Sequence, residues 1–371
     1  MSKKLDLLKR ILLGPGPSNV DPRVLKAMSA PLMGHLDPRF LEIMDESMEL
    51  LRFVFQTKNR LTIPISGTGS AGMETCLVNL IEPGDEVVVC VNGLFGERMA
   101  DIASRCGGIV RRVEAEWGRI IEPWQVEKAL QSASPKLVAI VHAETSTGIL
   151  QPLEEISKLV HDSGALFLVD AVTSLGGCEV KVDNWKIDAC YSATQKCLSC
   201  PPGLSPVTVS EKAMEVIRER KTKVRSWYLD LSLVEKYWSK DRVYHHTAPV
   251  SMIYALHESL RIIAEEGLKK RFERHSSNAE FLAENMASLG IELWAQEGYR
   301  APMINAVSIP SGVEDARVRR LLLDEYNIEI GGGLGELAGK IWRIGLMGYS
   351  SQRKNVILLT KALKEILRRE K

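Results

Sequence analysis

The sequence predicts an α/β protein: a large domain with a mostly parallel central sheet flanked by helices, followed by a smaller C-terminal α+β domain. Three observations carry that prediction. Short apolar runs alternate with turns and amphipathic stretches up to about residue 210, the pattern of a sheet covered on both faces. The chain has 371 residues, more than one ordinary core holds. From about Met252 the pattern changes to long helical stretches followed by short strands.

In order, the strands are expected at Glu86–Val91, Leu137–Val141, Leu166–Val169, Ala189–Ser192 and Ser205–Val209. Helices are expected to begin near Ala71, Gly96, Glu122 and Leu153, each opened by a turn or a Pro-containing segment. Strand and helix in alternation imply parallel strands joined by helical crossovers. The stretch SMIYALHESLRIIAEEGLKKRFERHSSNAEFLAENMASLG then reads as helix, and AVSIP and KIWRIGLM as strands. The expected division is an N-terminal arm at 1–12, a large domain at 13–265 and a small domain at 266–371.

Composition narrows the function. Hydrophobic residues at 45% and charged residues at 26% exclude a disordered or collagen-like chain. The 48 basic and 47 acidic residues leave a formal charge of +1, without the basic stripe of a nucleic-acid binder, so a small-molecule partner is expected. MSKKLDLLKR lacks the apolar core of a signal peptide, and no run reaches the ~20 apolar residues of a membrane helix. Seven cysteines without a secretory signal fit reduced thiols and a cytoplasmic location. The terminal LRREK is not a peroxisomal address.

The most informative pair is Asp170, ending the run ALFLVD, and Lys196, in YSATQKCLS, 26 positions later. Ligands of open α/β sheets collect at the carboxyl ends of strands, where both fall. A buried carboxylate needs a positive partner, and a lysine among apolar and hydroxyl groups has its pKa depressed toward the reactive amine. An amine and an acid so placed are what pyridoxal phosphate requires of a protein, the acid facing the ring nitrogen. Taken singly, the acid reads as a turn former and the lysine as a solvated side chain.

In SGTGSAGMETCLVNL, a Gly/Ser/Thr turn enters a helix, so Thr68, Gly69 and Ser70 could present amides and hydroxyls to a phosphate. The same residues read equally as an ordinary N-cap. Phe95 could stack on a planar ring or be one more core aromatic. Thr145 follows the Leu137–Val141 strand and reaches the same sheet edge as Asp170. Arg343, on the alternating segment Ile341-Trp342-Arg343-Ile344 among glycines, could grip a carboxylate bidentately or form a surface ion pair. His142 reads as a hydrogen-bonded core histidine. Cys197 and Cys200 form a C-x-x-C without a second pair at zinc spacing. His245 and His246, taken as adjacent strand residues, would point to opposite faces.

The series GPGPSNVDPRVLKAM, SGTGSAGME, NGLFGER, HAETSTGILQP, LVDAVTSLGG, SATQKCLSCPPG, YHHTAPVSMIYAL and GKIWRIGLMGYS resembles the class V aminotransferases of fold type I. More narrowly, it resembles the alanine–glyoxylate and serine–pyruvate group, from about residue 12 to about residue 365. The resemblance implies pyridoxal 5'-phosphate held on Lys196 as a Schiff base, with Asp170 on the ring nitrogen and Val172 on one ring face. It implies Phe95 as the stacking aromatic, Trp in some members. Thr68, Gly69, Ser70 and Gln195 would bind the phosphate, with Tyr244 and Thr247 reaching it from a second subunit of a homodimer. Thr145 would bond near the ring and Arg343 would hold the substrate carboxylate. Thr145 stands where Ser is common, and Ser70 where some members have His.

The implied reaction is ping-pong transamination from alanine or serine to glyoxylate or a similar 2-oxo acid. The alternative is a ureidoglycine–glyoxylate aminotransferase, whose GGCEVKVDNWKIDA and AGKIWRIGLMGYS segments are very similar. In those relatives Gln replaces His35 and Asn replaces Tyr244, and keeping both residues places this chain with alanine or serine donors. A class V desulfurase would need a catalytic Cys in the small domain, and the last cysteine is Cys200.

Overall fold

A computed structural model describes residues 8–369. Its centre is a seven-stranded sheet in the order Leu61–Ser66, Leu204–Val209, Ala189–Tyr191, Leu166–Asp170, Leu137–Val141, Glu86–Val91 and Ile109–Glu114. The strands from Ala189–Tyr191 to Ile109–Glu114 pair in parallel, while Leu204–Val209 runs antiparallel to both neighbours. The expected sheet is therefore present, with one strand reversed. The four central strands between Leu204–Val209 and Ile109–Glu114 are buried almost throughout, as continuous apolar runs in a doubly covered sheet must be.

Two strands of the central sheet escaped the sequence pattern, and each lies at an edge. Leu61–Ser66 contains Pro64, whose missing N–H is tolerated on an edge strand. Ile109–Glu114 carries Arg111, Arg112 and Glu114 toward solvent, so its apolar alternation is masked. The helices Gly69–Leu80, Leu94–Arg105, Pro123–Gln131 and Glu154–Asp162 start within two residues of the expected positions.

Helix Val250–Glu266 gives way to Leu268–Ser288 at Gly267. Beyond it, Ile304–Ser308, Ile341–Gly345 and Gly331–Gly332 form a three-stranded antiparallel sheet. That sheet packs with the long helices around Leu282, Val307, Leu322, Trp342 and Leu363, an apolar cluster separate from the one around the central sheet. Leu13 joins this second cluster, and Ile11–Leu12 pairs in parallel with Ile328–Glu329. Residues 11–13 thus run along the C-terminal structure ahead of the central sheet, which places Pro15 and Gly16 between the two. No helix among the described residues is long and apolar enough to cross a membrane.

Candidate active site

The C-terminal ends of the central parallel strands lie along one edge of the sheet. Asp170 ends its strand there, 2% exposed, with Oδ1 accepting the Val172 amide at 2.7 Å and Oδ2 the Tyr191 hydroxyl at 2.7 Å. Burial outweighs these bonds and pushes the carboxyl up to about 7, because low-dielectric surroundings disfavour the charged form.

Lys196 follows the next strand and is 9% exposed. Its Nζ donates to the Pro15 carbonyl. Burial first, and the nearby Arg343 guanidinium second, lower its pKa to about 8. The backbone is held by Ser18, whose amide bonds the Gln195 carbonyl at 2.9 Å and whose hydroxyl bonds the Lys196 carbonyl at 2.9 Å. Gly16 has φ +111°, and a Cβ on it would stand 2.7 Å from Nζ. Only glycine lets the chain pass there.

Arg343 lies on the Ile341–Gly345 strand and is buried. Nε donates to Gly332 O at 2.7 Å and Nη1 to Thr145 O at 3.3 Å, and among the described residues it forms no ion pair with a carboxylate. Burial lowers its pKa to about 10. A desolvated guanidinium satisfied only by carbonyls is a ready partner for a ligand anion.

Thr68 is the N-cap of helix Gly69–Leu80, but its side chain makes no capping bond, which leaves the hydroxyl and the first amides for a ligand. A Cβ at Gly69 would lie 2.9 Å from the Ala193 Cβ and 3.3 Å from the Val172 Cγ2, so this helix end presses on residues flanking Asp170 and Lys196. Ser70 is exposed beside it. Gln195 has a buried Oε1 with no partner, an orphan acceptor that calls for a donor from a ligand or water. Thr145 is buried and shares a hydroxyl bond with Thr173. Phe95 is partly buried, with the Arg98 guanidinium 5.0 Å from its ring centroid.

Tyr244 and Thr247 do not join this group by any hydrogen bond. They lie on the surface, bonded to each other at 3.3 Å. The Tyr244 ring stands 5.2 Å from that of His35, tilted by 53°. The neighbouring His245 and His246 sit in an irregular loop, not a strand, and their Nδ1 atoms approach to 2.8 Å. The reading of two opposed side chains is corrected by that loop, where backbone alternation does not apply. His142 is buried, with Nδ1 2.9 Å from Ser174 Oγ, and burial lowers its pKa to about 4. Burial pushes the Cys197 thiol up to about 12 and Cys200 higher, the opposite of a reactive thiolate. No cluster of metal-ligating side chains occurs among the described residues.

Three contributors had no role assigned from sequence. Glu144 is fully buried and accepts bonds from Phe95, Gly96 and Ser146. Tyr191 holds Asp170, and the Pro15–Ser18 segment holds Lys196. The repeated Gly-Pro of that segment was the available signal. Together these residues could hold a molecule with a phosphate at Thr68–Ser70, a carbonyl carbon at Lys196 and a cationic ring nitrogen at Asp170. Arg343 would then face a carboxylate.

The aminotransferase class-V family model matches residues 11–353. The (S)-ureidoglycine–glyoxylate transaminase of Bacillus subtilis (strain 168) is 45% identical over 378 residues, covering 97% of this chain and 91% of that protein. The alanine–glyoxylate aminotransferase of Rattus norvegicus is 42% identical over 371 residues, covering 99% and 90%. The crystal structure of an alanine–glyoxylate aminotransferase from Nostoc sp. superposes with a TM-score of 0.98 at 50% identity, covering 99% of this chain and 98% of that one.

Proposed function

The chain belongs to the class V aminotransferases, and on that premise we propose that it uses pyridoxal 5'-phosphate to move the amino group of alanine or serine to glyoxylate or a similar 2-oxo acid. The observation that carries the proposal is the pairing of a buried, pKa-lowered Lys196 with a buried, pKa-raised Asp170 at one sheet edge. Opposed shifts of neighbouring groups mark acid–base assignments. The helix N-terminus at Gly69 and the Thr68 side chain, which makes no capping bond, fit the phosphate end of the same cofactor, and Gln195 would add its amide Nε2 as a donor.

When bound, the cofactor supplies a carbonyl carbon for the amine and an electron-withdrawing ring next to the donor's α-carbon. Lys196 Nζ, whose pKa burial lowers to about 8, would hold that carbonyl carbon through its neutral amine and would serve as the base for the donor's α-proton. Arg343 favours that neutral amine through its own charge and binds the donor carboxylate through the guanidinium face not used by Gly332 and Thr145. Val172 and Phe95 would hold the cofactor's ring and Asp170 would pair with its nitrogen. Thr145, whose hydroxyl meets that of Thr173, would bond near the ring.

A homodimer is part of this reading. Tyr244 and Thr247, surface residues of one chain, would complete the phosphate site of a second copy. The division into a large domain at 13–265 and a small one at 266–371, and a cytoplasmic location, belong to the same proposal. The two separate apolar clusters support the division.

Ureidoglycine is the second donor to test, because the Bacillus subtilis relative is named for it at 45% identity. His35 and Tyr244, which favour alanine or serine, are ring neighbours and so would act on the donor together. Lys196→Ala is the test of the mechanism, with turnover expected to vanish, and side-by-side rates with the three donors test the substrate.

A further inference from the structure

The hydroxyl of Tyr191 meets Asp170 at the point where the proposed function needs that acid to be charged. Asp170 and Tyr191 are register partners on adjacent parallel strands. Tyr191 is completely buried, and its hydroxyl donates to Asp170 Oδ2 at 2.7 Å. The backbone locks the pair, because the Ala171 amide donates to the Tyr191 carbonyl at 2.8 Å. Oδ1 is fixed independently by Val172 N. A carboxylate has about four lone-pair sites, so one on each oxygen stays open for a ring N–H.

We infer that Tyr191 is a positioning residue that keeps the Asp170 carboxylate aimed and deprotonated, so that the proton shared between acid and cofactor resides on the ring nitrogen. This inference rests on the cofactor reading above.

The surroundings explain why such a donor is needed. Of the groups around Asp170, Lys196 favours its charge, whereas burial and Glu144 oppose it. The Cys76 thiol from helix Gly69–Leu80 and the Cys190 thiol from the Tyr191 strand stay neutral. The Val172 amide and the Tyr191 hydroxyl are the hydrogen bonds that oppose protonation. Tyr191 itself is pushed well above the ordinary phenol range by burial and by Asp170. It therefore remains a donor at every working pH. Removing its hydroxyl shifts the shared proton toward the carboxyl and weakens the ring's pull on electrons.

The experiment is 15N NMR of the holoenzyme loaded with cofactor labelled at the ring nitrogen, compared in wild type, Tyr191→Phe and Asp170→Asn. The protonated fraction of the ring nitrogen at neutral pH, read from its 15N shift, should fall in Tyr191→Phe and fall further in Asp170→Asn. In Tyr191→Phe, kcat should drop about tenfold or more, the factor for one hydrogen bond to a charged group, with KM nearly unchanged. A wild-type shift in Tyr191→Phe with a deprotonated one in Asp170→Asn would overturn the role of Tyr191 alone. Wild-type shifts in both would overturn the assignment of Asp170 as well. Should Tyr191→Phe fail to fold, 3-fluorotyrosine at position 191, nearly the same shape and a stronger donor, should move the 15N shift toward the protonated form, and an unmoved shift would overturn the inference.

Discussion

Glu144 holds Phe95 by its backbone: Oε2 accepts the Phe95 amide at 3.0 Å and the Gly96 amide at 3.3 Å. Oε1 accepts the amide and hydroxyl of Ser146 at 3.0 and 2.6 Å. The acid thus caps helix Leu94–Arg105, where the helix dipole favours negative charge, and fixes the start of the turn that carries the aromatic ring. Burial raises its pKa, and the four bonds oppose that rise.

Glu144→Ala leaves those donors buried without an acceptor. Each unmet donor costs roughly 1–3 kcal/mol, so urea unfolding of the cofactor-free protein should show a loss of about 3 kcal/mol or more. A loss below about 1 kcal/mol would mean that water replaces the carboxylate freely.

Gly16→Ala places a methyl against the Lys196 amine at a backbone angle that alanine resists. Activity should fall about a hundredfold, the scale for displacing a reacting group by about an ångström, and the melting temperature should drop as well, because alanine is strained at a positive φ. Gly34→Ala is the control, since its Cβ meets nothing within 4 Å. Comparable loss in both variants would contradict the contact.

Stability of the cofactor-free protein should depend on pH in two windows. Asp170 goes from an ordinary 3.8 to about 7 on folding. Between those values the folded chain holds a proton that the unfolded chain lacks, so stability falls as pH rises through the window. Lys196 goes from 10.5 to about 8. There the unfolded chain holds the extra proton, and stability rises from about pH 8 toward 10.5. Urea midpoints across pH should lose the first slope in Asp170→Asn and the second in Lys196→Met. Unchanged slopes would contradict the burial of these charges.

Arg343→Ala should raise KM for the amino donor at least about tenfold and leave cofactor affinity close to wild type. Because Arg343 depresses the Lys196 pKa, the acid limb of the rate profile should also move to higher pH. Equal loss of donor and cofactor binding would contradict a carboxylate role.

The candidate site was legible where chemistry and secondary structure coincide. Asp170 ends an apolar strand, Lys196 follows the next one, and Arg343 interrupts an alternating strand. Tyr191 was hidden because a buried tyrosine in ACYS looks like any core aromatic until the neighbouring strand is placed in register with it. Glu144 and Phe95 are distant in sequence and meet only because the Glu86–Val91 and Leu137–Val141 strands are neighbours. The reversal of Leu204–Val209 was hidden for a related reason: the residue pattern of a strand buried on both faces does not encode its direction, which only its pairing shows. Pro64 and the arginines of Ile109–Glu114 concealed the edges.

The visible absorption spectrum of the purified protein tests the central claim most directly. A band of lysine-linked cofactor should be present, should bleach on adding L-alanine or L-serine and should return with glyoxylate, and Lys196→Ala should not complete that cycle. If ureidoglycine bleaches the band fastest, the donor assignment moves to that substrate. If wild type shows no such band after cofactor is added, or if Lys196→Ala turns over normally, the account of the site is wrong.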